Sequence, residues 1–96
     1  MANKNLSVNL SIVITKQGKR FVAYTPALDI STSGKSEREV KARFGEIVSL
    51  FFDEIIEAGT LDDVLFELGW KKMQKRWTPP KVVSTKSVGF RVPALA

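Results

Sequence analysis

Carboxylates are the side chains of this chain that come nearest to a catalytic set. Two-metal phosphoryl chemistry needs three or four of them converging on one cavity, because each cation must be held while the phosphate is attacked in line. Nine lie between residues 36 and 69, namely Glu37, Glu39, Glu46, Asp53, Glu54, Glu57, Asp62, Asp63 and Glu67. They fall on helix-patterned sequence, mostly opposite its apolar stripe, which is the pattern of a solvated face. Only Asp29 lies in sheet-patterned sequence, and it reads as a turn residue bonding to local backbone. The serines and threonines lack an evident base, since the chain has no histidine, and no spacing singles out a Ser–Lys pair. Without cysteine there is no thiolate nucleophile and no zinc–thiolate site. These residues predict a non-catalytic protein with no metal and no cofactor.

A second constellation combines cations with aromatics: Trp70, Lys71, Lys72, Lys75, Arg76 and Trp77. Lysine and arginine neutralise phosphates and release counterions, and an indole can stack on an unpaired base. The competing reading puts both tryptophans at the edge of the core, with the lysines in water. Lys16, Lys19 and Arg20 would extend such a patch if the fold brought them near it. The net charge of +5 conceals a segregation. Residues 70–96 carry seven cations and no acid, whereas residues 36–69 carry the nine acids against Arg38, Lys41 and Arg43. An acidic middle between basic ends can serve a charged partner, an oppositely charged patch on a second copy, or neither.

The elements that must position these residues follow from periodicity. Residues 6–15 alternate, with Val8, Leu10, Ile12 and Ile14 on one side, which predicts a half-buried strand. Gln17-Gly18 supplies a tight turn and residues 20–24 the returning strand. Pro26 ends it, because proline cannot donate to a ladder. Residues 30–33 form a short third strand closed by Gly34. Ser36 and Glu39 make a capping box. Behind them Val40, Phe44, Ile47, Val48, Phe51 and Ile55 form one stripe, predicting a helix buried against the sheet. Gly45 within it implies a close approach to a strand, and Leu50, Phe52 and Ile56 widen the apolar arc beyond one sheet face. That surplus points to a second helix or a subunit interface. Thr60 with Asp63 opens a short helix over residues 61–68. Residues 70–80 read as a basic loop ending in the rigid Pro79-Pro80 joint, and residues 81–92 as a final strand. The 96 residues make one domain with a core over about 6–69. No apolar run spans a bilayer and residues 1–10 lack a signal-peptide pattern, so a cytoplasmic protein without membrane contact is expected.

The segment FVAYTPALDISTSGKSEREVKARFGEIVSLFF (residues 21–52) resembles the HicB family, the antitoxin half of bacterial and archaeal toxin–antitoxin pairs. The matching positions are Tyr24-x-Pro26, Gly34-x-Ser36, and Glu39 and Glu46 seven residues apart on the helix. TLDDVLFELGW also looks like the C-terminal extension of stand-alone members. The resemblance implies an α+β fold in which an antiparallel three- to four-stranded sheet packs against one long and one short helix, a degenerate RNase H-like β-β-β-α-β core. It implies a homo-oligomer, most simply a dimer, and a partner of the HicA type, a small basic RNA-cleaving toxin covered by the antitoxin. Two departures stand out. Nothing after Trp70 has the pattern of the family's DNA-binding modules, and Leu28-Asp29-Ile30 replaces the small Gly-x region after the proline.

The leading expectation is an antitoxin-type interaction module that homo-oligomerises and binds its partner through Glu46, Leu50, Phe52, Asp53, Glu54 and Glu57. The alternative is a small nucleic-acid-binding protein using residues 70–77. The final strand is expected in the chain's own sheet, with dimerisation on helix or edge surface.

Overall fold

Alternation along the first third of the chain folds as an antiparallel meander. The computed structural model describes residues 8–94, and the first two residues of the predicted 6–15 strand lie outside them. Strands β1 (Val13–Gln17), β2 (Arg20–Thr25) and β3 (Ile30–Gly34) form one sheet in the order β1-β2-β3. Gln17 pairs with Arg20 across a two-residue turn, Gly18-Lys19, one position later than expected. Gly18 supplies the positive φ of 64° that a hairpin turn of this length needs. The ladder starts only at Val13, opposite Tyr24. Residues 8–12 keep the strand pattern without a ladder partner, because Pro26 has ended β2.

Helix α1 (Glu37–Glu57) starts where the cap predicted. The Ser36 hydroxyl accepts from the Glu39 amide at 3.0 Å. The Glu39 carboxylate reaches one residue further back than in the usual box and accepts from the Lys35 amide at 2.7 Å. Burial follows the stripe: Ala23 of β2 packs with Val40 and Phe44, and Ile55 joins Ala27, Leu28, Leu65 and Trp70 in a second cluster. The close approach between helix and sheet is at Gly34 rather than Gly45. A Cβ on Gly34 would lie 3.0 Å from the Val40 amide nitrogen, whereas a Cβ on Gly45 meets nothing within 4 Å.

Helix α2 (Leu61–Glu67) follows, turning Leu65 into the core. Thr60 does not cap it through its side chain; its hydroxyl instead points back to the Ile55 carbonyl at 3.4 Å. The predicted basic loop is a hairpin, β4 (Lys71–Met73) with β5 (Arg76–Thr78). Gln74 and Lys75 form its turn with φ of 51° and 67°, the two positive values of a type I′ turn. Neither residue is a usual carrier of that conformation, which is why the hairpin escaped sequence reading.

Residues 81–92 are not a strand. Residues 79–94 run on without turn, bend or ladder, and residues 80–94 are exposed. Alternating sequence needs an edge to pair with, and among the described residues the segment pairs with none. The projecting arm accompanies a long axis of 62 Å against 28 and 22 Å for the other two. The whole is an α+β fold: a three-stranded sheet, a long helix, a short helix and a two-stranded ribbon.

Candidate functional site

Glu46, Leu50, Asp53, Glu54 and Glu57 share one stripe of α1, because steps of four, three, one and three return to the same side at 3.6 residues per turn. All five are exposed, and Leu50 is 64% accessible. The three ion pairs among the described residues are Lys41–Glu37, Arg43–Glu39 and Lys72–Asp62. Glu46, Asp53, Glu54 and Glu57 take part in none of them, so the stripe keeps its negative potential for something outside the domain. The helix has no basic residue in its last turn, where its own dipole adds partial negative charge.

Phe52 does not belong to this stripe. It lies on another flank of α1, half-buried, and meets Phe51 and Trp70 edge to face at centroid distances of 5.7 and 6.1 Å. Part of the apolar surplus on α1 therefore serves the α2–Trp70 cluster. Ile56 stays 60% accessible beside Gly59, Leu61, Asp62 and Asp63, with which it lines a shallow open depression.

The basic constellation is divided by the hairpin. Trp70 is 2% accessible, and its Nε1 donates to the Ala27 carbonyl at 2.8 Å; no base can stack on it. Lys72 pairs with Trp77 across the ribbon, its ammonium 5.6 Å from the ring centroid and 3.5 Å from Asp62 Oδ2. The other ribbon face carries Lys71 with Thr78 and Met73 with Arg76. Lys71, Lys75 and Arg76 thus remain available to solvent, while Trp70 and Lys72 are engaged.

On the sheet's outer face Tyr24 stands beside Val13 and Ser31 in the ladder. Its hydroxyl donates to Asp29 Oδ1 at 3.0 Å. This bond holds the phenol proton and raises the Tyr24 pKa, with desolvation and the carboxylate's charge acting the same way. Asp29 itself occupies the left-handed region at φ 54° and donates its amide to the Thr25 carbonyl at 2.9 Å. Its carboxylate is a turn-fastening group. Among the described residues no three His, Cys, Asp or Glu side chains are grouped so as to hold a metal ion.

Glu39, where helix meets sheet, is held below the ordinary glutamate pKa. The Lys35 amide bond is the main cause, burial opposes it, and the charges of Arg43, Lys35 and Arg20 assist. Arg20 donates to Ser33 Oγ at 3.1 Å and Arg43 reaches the Ser33 carbonyl at 3.5 Å. This network fastens α1 to β3 and leaves the acidic stripe untouched.

Fold and site together define a small α+β domain presenting an acidic helical stripe and a detached basic arm. No family model, no curated protein and no solved structure matches the chain. Among the described residues no helix is long and apolar enough to cross a membrane.

Proposed function

We infer that this protein is a non-catalytic interaction module of the antitoxin type, a homo-oligomer that sequesters a small basic protein on the acidic stripe of α1. The observation that carries the reading is the set of four carboxylates, Glu46, Asp53, Glu54 and Glu57, exposed around Leu50 with no ion-pair partner among the described residues. An apolar side chain ringed by like charges supports docking by charge complementarity around a buried contact. The Tyr24–Glu46 pattern shared with the HicB family suggests the kind of partner, a small RNA-cleaving toxin.

The test is retention of a small basic protein by the tagged chain in its native host through a moderate-salt wash. Stoichiometric retention, lost when Glu46, Asp53, Glu54 and Glu57 are all replaced by lysine, supports the reading. Equal retention by both forms removes the acidic stripe from it.

A second reading has its own observation, the exposed ribbon face with Lys71 and Arg76 beside the Lys75 turn. As a nucleic-acid contact this face works through phosphate, since Trp70 is buried and the half-buried Trp77 lies on the other ribbon face with Lys72. It predicts retention of single-stranded RNA or DNA that weakens with salt and is lost on replacing Lys71, Lys75 and Arg76 with alanine. Retention indifferent to salt rules this reading out.

A further inference from the structure

We propose that residues 83–92 add as an edge strand to β1 of a second copy of this chain, in a reciprocal exchange of arms. The proposal rests on the homo-oligomeric part of the reading above and gives it a surface, without using the acidic stripe.

The arm is built like a strand and has no sheet. Val88, Phe90 and Val92 fall on one side, with Ser87, Gly89 and Arg91 on the other, the period of a half-buried strand. Yet Val88 is 59% accessible, Phe90 82% and Val92 78%. No backbone hydrogen bond ties residues 79–94 to the other described residues. Lone exposed apolar side chains need no explanation, but a period-two run of them, detached from the domain, is the form of a segment that pairs elsewhere.

Its own sheet does not pair with it. Residues 77–82 pass beside Val8, Asn9 and Ser11, lining one open groove with them, and beyond that point the arm is exposed and without turn or ladder through residue 94. Pro79-Pro80 stiffens the exit, which disfavours folding back. Extended at about 3.3 Å per residue, the ten residues 83–92 cover roughly 33 Å, about twice the length of five-residue β1.

The chain also offers an acceptor. The three-stranded sheet has two edges, β1 and β3. Along β3 the edge is partly engaged, since the Arg43 guanidinium reaches the Ser33 carbonyl at 3.5 Å. Along β1 no described strand pairs with the outer edge, and residues 77–82 flank only the approach to it at Val8, Asn9 and Ser11. Ile12 and Val13 stay exposed there, on opposite faces by their alternation, and residues 8–12 continue the strand pattern without a ladder partner, held to β2 by the Thr25 hydroxyl, which donates to the Ser11 carbonyl at 2.9 Å. An incoming strand would pair with this row and set Val88, Phe90 and Val92 beside Ile12 and Ile14. An open edge bearing apolar side chains is the site at which another strand adds. Because each copy has one arm and one β1 edge, two exchanges close a two-fold dimer.

The experiment uses the full chain. Sedimentation equilibrium over a concentration series measures the mass of the native protein and of Gly89→Pro and Phe90→Asp. Proline removes a ladder donor while leaving the arm's charge, and neither residue touches the domain, so both variants should keep the native helical circular dichroism. The expected result is a native dimer, with the dimer dissociation constant raised at least tenfold in both variants. The chain has no cysteine, so Ser87→Cys, on the arm face opposite Val88, can be mixed with Ser11→Cys, Val13→Cys or Thr15→Cys, on the β1 face opposite Ile12 and Ile14, under mild oxidation. At least one mixture should give a disulfide between the two different chains. A dimer unchanged by both arm variants and giving no mixed disulfide overturns arm exchange while leaving homo-oligomerisation standing. A monomer at every concentration overturns both.

Discussion

The indole Nε1 of Trp70 donates to the carbonyl of Ala27 at 2.8 Å, joining residues 43 positions apart. It ties the chain after α2 to the loop after β2, and both partners belong to the cluster of Leu28, Ile55 and Leu65. Replacing Trp70 by alanine should cost about 3–5 kcal/mol of stability. Phenylalanine keeps much of the ring volume but leaves a buried carbonyl unpartnered, for a loss of about 1–3 kcal/mol. Urea denaturation of the two variants checks both figures, and equal losses would mean that the hydrogen bond contributes most of the effect.

Two glycines should respond to alanine with opposite signs. At Gly34 the added methyl would meet the Val40 backbone at 3.0–3.1 Å, so Gly34→Ala should destabilise by about 1–3 kcal/mol. At Gly45 the space is open, and Gly45→Ala should stabilise by up to about 1 kcal/mol through helix propensity. Thermal melting distinguishes them, and a destabilising Gly45→Ala would reveal a contact to that helix face from outside the described residues.

Glu39 should impose a pH dependence on stability. Its folded-state pKa is depressed, chiefly by the Lys35 amide bond. Its contribution is therefore present above the unfolded glutamate pKa and is lost as pH falls through the folded value. Glu39→Gln should flatten the acid side of the stability curve, measured by denaturation at a series of pH values. A curve of unchanged slope would show that the carboxylate is as well solvated folded as unfolded.

Tyr24 is the sole tyrosine, so its ionisation can be followed by tyrosinate absorbance without interference from another phenol. The Asp29 bond raises its pKa. Asp29→Asn removes the charge while tolerating the left-handed backbone at φ 54°, and the titration should move to lower pH. A midpoint that stays in place would mean that the Tyr24–Asp29 contact does not persist in solution.

The β4–β5 turn holds Gln74 and Lys75 at positive φ, a conformation costing about 1–2 kcal/mol per L-residue. The double change Gln74→Asn, Lys75→Gly supplies the residues a type I′ turn prefers and should stabilise by about 1 kcal/mol. A lowered melting temperature would indicate that the Lys75 side chain contributes more than its backbone costs.

Much of this architecture is legible in the amino-acid order, because its signals are local. Alternation at residues 20–24 and 30–33, the Ser36–Glu39 cap and the stripe from Val40 to Ile55 each need only near neighbours to act. The five acidic-stripe positions from Glu46 to Glu57 were readable for the same reason. Helical spacing alone determines that they share a side.

What the tertiary structure decided lies where a residue's role depends on distant chain. Trp70 sits in a run of cations, yet Ala27 and Phe52 draw it into the core and away from any nucleic-acid role. Phe52 looked available and is used by the same cluster. Gly34, not Gly45, marks the helix–sheet contact, because only the assembled layers show which backbone comes near. The Lys71–Thr78 ribbon closes on turn residues that carry no turn signal, so cross-strand pairing overrides local preference there. Residues 83–92 make the point most plainly. Their alternation specifies a strand, but a strand exists only beside an edge, and among the described residues they pair with none.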